Sequence, residues 1–187
     1  MIDLRERWLP DSLESGGKTY KLDTDFRTWI KFQDAYEREG IAIFDIFERK
    51  SPPLTDREWI RPALEFLASP NATPRAMGGS SERAFDFVLD GEYIVASFMA
   101  AYGINLTEID YMHWHVFKAL FNGLPEESKM AQIIEHRTWR KSSKKYETAK
   151  AEQREAWRLP DYGEERAMEE ARKIAEMMWN ETNGGGE

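Results

Sequence analysis

The chain has 187 residues, a length that suits one domain or one compact domain with an extended end. It has no cysteine, which excludes disulfides and thiolate metal sites and suits a reducing cytoplasm. A formal net charge of −8 argues against a general nucleic-acid binder, which needs an excess of Lys and Arg facing phosphates.

Met1 to Pro10 is charged and holds no apolar segment of the kind an export signal requires. Gly16-Gly17 then sits between Ser12-Leu13-Glu14 and Thr19-Tyr20-Lys21-Leu22. Two glycines can take the positive φ angles of a tight turn, so a short N-terminal β-hairpin is predicted here. Asp23 or Thr24 is positioned to cap a first helix that ends at Gly40, with Phe26, Trp29, Ile30, Gln33 and Tyr36 on one face.

Ile41 to Lys50 reads as a short apolar helix stopped by Ser51-Pro52-Pro53. Thr55-Asp56-Arg57-Glu58 has the capping-box pattern, and Trp59, Leu64 and Leu67 follow it to near Ser69-Pro70. The prolines, glycines and serines between 69 and 83 predict a mobile internal loop.

The next stretch is the most apolar of the chain. Tyr93 to Thr107 carries no charge over 15 residues. A membrane-spanning helix needs about 20 apolar residues, so this is read as a buried helix near 90–102, ended by Gly103. Helices are expected near 107–122 and 126–138, the first of them antiparallel to its predecessor. Within 107–122, Ile109, Met112, His113, Val116, Phe117, Leu120 and Phe121 make a broad apolar face. Glu108, Tyr111, His115, Lys118 and Asn122 make a narrow polar stripe opposite. Tyr93, Phe98, Met112, Val116, Phe117 and Leu120 are the predicted central core.

After Arg137 a basic patch follows, with Arg140, Lys141, Lys144 and Lys145. A charged, helix-favouring segment then places Ala167, Ala171, Ile174, Ala175 and Met178 at helical spacing before a glycine-rich tail. An apolar stripe on a terminal helix is suited to docking. Trp157, Ile174, Met177, Met178 and Trp179, with the basic set, are therefore the candidate partner contacts.

Constellations for catalysis are weak. On one continuous helix His113 and His115 would point about 200° apart and could not share an ion, so neither metal nor cofactor is expected. Asp86, Asp90 and Glu92 bracket a helix start, where acids serve as caps. Neither Gly-Gly pair has the context of a phosphate loop, and no Gly-x-Ser-x-Gly elbow occurs.

Several segments resemble a bacteriophage family of the gene product fifteen type, found in siphophages and prophages of Gram-positive hosts and encoded just upstream of the tape measure. They are Lys21 to Ile30, Phe85-Asp86-Phe87 with Asp90 and Tyr93-Ile94, and Ala101 to Leu106. The most specific is His113-Trp114 followed by Phe117-Lys118, Leu120, Gly123 and Pro125. The chain departs from the family at His115, where Trp is favoured. The resemblance covers residues 9 to 160 and implies a tail assembly chaperone that binds the tape measure protein while the tail tube forms. A second tail assembly chaperone is a further implied partner.

The expected fold is mostly α: a compact multi-helix domain over 1–160 with the β-hairpin, then a C-terminal helix and disordered tail over 161–187. The expected protein is a non-catalytic homo-oligomer of the host bacterial cytoplasm, absent from the mature virion, with no nucleic-acid or membrane partner. A structural minor tail or head–tail joining protein is the alternative.

Overall fold

A computed structural model describes residues 5–39, 46–48, 51–52, 57–68, 83–139, 148–161, 164, 171–172 and 174. These residues form six helices and one two-stranded antiparallel sheet, a mostly α protein as expected. The chain divides into two units, 1–135 and 136–187.

The hairpin pairs β1 (Ser12–Ser15) with β2 (Lys18–Lys21), in the register Ser12 with Lys21 and Ser15 with Lys18. Gly16 and Gly17 form the whole turn, at φ +54° and +71°, a conformation that costs side-chain-bearing residues dearly. β1 buries Leu13 and Ser15 and exposes Glu14, so one face of the hairpin meets the core. An ion pair between Asp11 and Lys21 ties the strand ends.

The chain then extends past β2. Leu22, fully buried, faces Phe47 in an isolated antiparallel bridge. The Asp23 N–H donates to Ile46 O at 2.9 Å and the Glu48 N–H to Lys21 O at 3.2 Å. Residues 46–48 are therefore extended, not part of the short helix expected over 41–50. Pairing with the hairpin's edge satisfies their backbone and buries Ile46 and Phe47. The remainder of that predicted helix lies outside the described residues.

Helix α1 spans Phe26–Glu39. Its start is held by Asp25, whose Oδ1 accepts the Arg27 N–H at 2.9 Å, one residue later than expected. Asp23 braces the same turn, its Oδ2 accepting the Thr28 hydroxyl at 2.8 Å. Phe26, Trp29 and Phe32 are buried, while Ile30, Gln33 and Tyr36 are only half-buried. The inward face is thus rotated toward Phe32, which the predicted face omitted.

Helix α2 is Ile60–Ala68 and buries Ala63 and Phe66 next to Trp59. Arg57 to Trp59 precede it as a turn, so the capping-box reading, which places helix there, is corrected. Leu64 and Leu67 are half-buried. Thr55, Asp56 and the predicted loop up to 82 lie outside the described residues.

Asp86 organises the next turn, its Oδ1 accepting from the N–H groups of Val88 and Leu89 at 2.8 Å each. Its Oδ2 meets Arg83 at 2.6 Å, and its own N–H donates to Asp90 Oδ2 at 2.9 Å. Asp86 thus closes the turn ahead of α3, while Asp90, at the N-cap of α3, makes no side-chain hydrogen bond to the helix start, so the expected capping by Asp90 is corrected. Helix α3, Gly91–Tyr102, ends at Gly103 as expected.

Helix α4 is Trp114–Asn122, shorter than the predicted 107–122. Residues 109–113 are not helical because they pair with the start of α1. The Phe26 N–H donates to Met112 O at 2.9 Å and the Trp114 N–H to Thr24 O at 2.8 Å. Asp25 faces His113 in an isolated bridge. Phe98 lies against Phe117, and Tyr102 donates to Leu120 O at 2.8 Å. These contacts pack α3 on α4 across a connection longer than the short one expected. That connection, Gly103 to His113, is eleven residues long.

Helix α5, Lys129–Thr138, begins at Ser128 and takes a further hydrogen bond from α3: the Met130 N–H donates to Ser97 Oγ at 3.2 Å. It buries Met130 and Ile133. Of the predicted core, Phe98, Met112 and Phe117 are buried, whereas Tyr93, Val116 and Leu120 are half-buried. In the second unit, α6 (Thr148–Ala156) has no buried residue, and Arg137 Nε donates to Trp157 O at 2.6 Å.

Candidate functional site

The family-like motif forms a clamp on the end of α2. A helix leaves its last carbonyls without intrahelical donors, and here side chains of α4 supply them. His115 Nε2 lies 3.0 Å from Phe66 O, Trp114 Nε1 donates to Leu67 O at 3.1 Å, and Lys118 Nζ donates to Leu67 O and Ala68 O at 2.6 Å each. The ammonium also sits 5.4 Å from the Trp114 ring centre. A cation at a helix C-terminus is favoured by the helix dipole.

His113 starts α4. Its extended backbone lets Nδ1 accept the His115 N–H at 3.0 Å, which leaves Nε2 to carry the proton and donate to Pro10 O at 2.9 Å. The two rings lie 5.2 Å apart, so the expectation that they point away from each other fails. It assumed a continuous helix, and His113 is outside the helix. His115, placed on a polar stripe by sequence, is 3% exposed and its ring lies 4.4 Å from that of Phe66, tilted by 31°.

Burial pushes His115 down to about 4 and lowers His113 as well, so both are neutral at pH 7. The His115 Nε2–H then donates to Phe66 O, and Nδ1 is left buried without a hydrogen-bond partner among the described residues. Burial also pushes Lys118 down to about 8, which leaves it an ammonium at neutral pH. Trp114 Nε1, His115 Nε2 and Lys118 Nζ all donate to backbone carbonyls of α2, so the constellation builds structure. Among the described residues no group of three or more His, Asp or Glu is arranged to hold a metal.

Beside the clamp lies an apolar hollow of about 220 Å³, framed by Phe26, Ile30, Phe87, Val95, Leu106 and Phe117. Phe117 is its centre: the ring stacks on Phe26 at 4.7 Å and Phe98 at 5.4 Å, and meets Phe87 at 5.7 Å. Arg27 pins one rim, donating to Leu106 O at 3.0 Å and Ile109 O at 2.7 Å while pairing with Asp25. Val88, 60% exposed, shares a smaller crevice with Ile30 and Phe87, whose lining also includes Gln33, Asp34, Glu37 and Asp86. Sequence reading missed Arg27 and Leu106 as parts of this site. A charged residue bonded to backbone carbonyls about 80 positions away leaves no local signal.

The other predicted residues are dispersed. Leu120 is half-buried on α4 and Pro125 is exposed, its carbonyl accepting the Ser128 N–H at 2.9 Å. Gly123 follows α4 so closely that an added Cβ would lie 3.2 Å from Ala119 O and 3.4 Å from Tyr102 Oη. Trp157 is half-buried and Ile174 is exposed. Arg140, Lys141, Lys144, Lys145, Met177, Met178 and Trp179 lie outside the described residues. No helix among the described residues is long and apolar enough to cross a membrane.

Residues 62–159, a little over half of the chain, match the family model described as Bacteriophage Gp15 protein. The matched stretch contains α3, α4 and the whole clamp motif; the similar segment at Lys21 to Ile30 lies before it. No curated protein and no solved structure matches the chain.

Proposed function

The chain belongs to the Bacteriophage Gp15 protein family, and from that membership we propose that it is a tail assembly chaperone that binds the tape measure protein while the tail tube is built. The family indicates a bacteriophage structural or assembly protein. The observation that supports the chaperone role is the apolar hollow between α1 and α3. A tape measure is a long helical rod with apolar stripes, and a hollow floored by Phe117 fits one or two side chains of such a stripe. The net charge of −8 favours solubility of the chaperone.

On this reading the protein acts through contacts and not by catalysis, and needs no cofactor. It works as a homo-oligomer in the host bacterial cytoplasm, beside the tape measure and a second tail assembly chaperone, and leaves before the virion is complete. Ile174, exposed in the second unit, offers a second docking contact. Mass spectrometry of purified virions tests the reading against its alternative. A chaperone is absent from mature particles, whereas a minor tail or head–tail joining protein is present at a fixed ratio to the tail subunits.

A further inference from the structure

We propose that the outer edge of β1 takes up an extended peptide segment bearing Lys or Arg, which joins the hairpin as an added strand. The inference is separate from the hollow at Phe117 and from the tape-measure reading. It begins with the register. Ser15 and Lys18 flank a two-residue turn and so exchange backbone hydrogen bonds; Leu13 and Tyr20 form the next such pair. The N–H and C=O groups of Ser12 and Glu14 must then point away from β2. No hydrogen bond to any of these four groups exists among the described residues.

An unpaired edge is normally kept short or blunted by charge, and β1, four residues long with Glu14 outward, is of that kind; Lys, Pro and bulges are the stronger devices. β1 reads Ser-Leu-Glu-Ser and has none of these, while both lysines of the hairpin are on β2. The edge opens onto a cleft of about 490 Å³ whose other wall is α2, through Pro62, Glu65 and Phe66, with His115 lining it as well. The cleft therefore provides backbone partners on one side and an apolar wall on the other, the arrangement that strand addition uses.

Charge selects the occupant. Glu14 and Glu65 are the charged residues lining the cleft, and both are acids. Glu65 already pairs with Arg61 of its own helix at 3.0 Å, so a basic side chain on the incoming strand pairs first with Glu14. A second copy of β1 would bring a further Glu14 into the same acidic cleft, so edge-to-edge pairing of two copies is disfavoured.

The test uses the full chain and three labelled pentapeptides: Lys-Val-Lys-Val-Lys, Glu-Val-Glu-Val-Glu, and the first with alternate backbone nitrogens methylated. Fluorescence anisotropy should show binding of the first alone, with amide shifts at Ser12 and Glu14 by NMR. Glu14→Pro removes one outward N–H without touching the bonds to β2, and should weaken binding about tenfold or more while the melting curve is retained. Glu14→Lys with Glu65→Lys should transfer the preference to the acidic peptide. The proposal is overturned by equal binding of the methylated peptide, by a charge reversal that leaves the preference unchanged, or by shifts mapping to Phe26 and Val95. It is also overturned if sedimentation shows a dimer that Glu14→Pro dissolves, because the edge is then filled by a second copy.

Discussion

The indole N–H of Trp114 donates to the carbonyl of Leu67 across 3.1 Å, joining the first residue of α4 to the last turn of α2. The residues that resemble the phage family are therefore spent on closing another helix. His115 and Lys118 complete the same closure, and the apolar hollow owes its floor to the helix so anchored.

Trp114→Phe removes the donor and trims the buried indole to a single ring. It should cost about 1–2 kcal/mol, because the Leu67 carbonyl keeps only Lys118 as partner. Lys118→Met removes two charge-assisted bonds and should cost about 1–3 kcal/mol. Urea denaturation of both variants measures this. Costs below about 0.5 kcal/mol, the usual surface value, would mean that the clamp is incidental.

Phe117→Ala should cost about 3–5 kcal/mol, since the ring is nearly fully buried and contacts rings of α1, α3 and the Phe85–Phe87 turn. Leu120→Ala should cost less, about 1–2 kcal/mol, because its side chain is half-buried. The order of the two midpoints checks the placement of the core.

Stability should fall as pH falls. The folded-state pKa values of His113 and His115 lie below the unfolded value of about 6.5, so the unfolded chain takes up protons first. The stability contributed by the neutral rings is complete above about pH 6.5 and is lost as pH drops toward 4, the His115 value. The loss should reach roughly 2–3 kcal/mol for His115, and His115→Gln should flatten the profile. Urea midpoints from pH 7.5 to 4.5 test the sign and the size.

The hairpin, α1 and the end of α3 were legible because each rests on local chemistry: the Gly16–Gly17 turn, acids before Phe26, and Gly103. The start of α4 was not. Ile109, Met112, Val116 and Leu120 keep helical spacing, so periodicity ran through residues that tertiary pairing holds extended. Met112 and Trp114 bond to Phe26 and Thr24, almost 90 positions away, and no local pattern announces such a partner. Residues 46–48 were misread for the same reason, since Leu22 supplies the pairing. The burial of His115 follows from the late start of α4, and the polar-stripe assignment failed with it.

Removing everything after Pro160 should leave the first unit folded. The described residues beyond that point, Asp161, Glu164, Ala171, Arg172 and Ile174, are all exposed. The melting temperature should move by less than about 2 °C. A loss of cooperative melting would place essential core residues beyond 160.

The central claim is client binding at the hollow, and the most direct measurement is the fraction of tape measure protein that stays soluble on co-expression. With the wild-type chain the tape measure should be recovered in the supernatant. Ile30→Glu with Val95→Glu, at half-buried positions lining the hollow, should return it to the pellet while the variant itself remains soluble and folded. A tape measure that stays insoluble beside the wild-type chain, or one kept soluble equally well by the variant, would contradict the account.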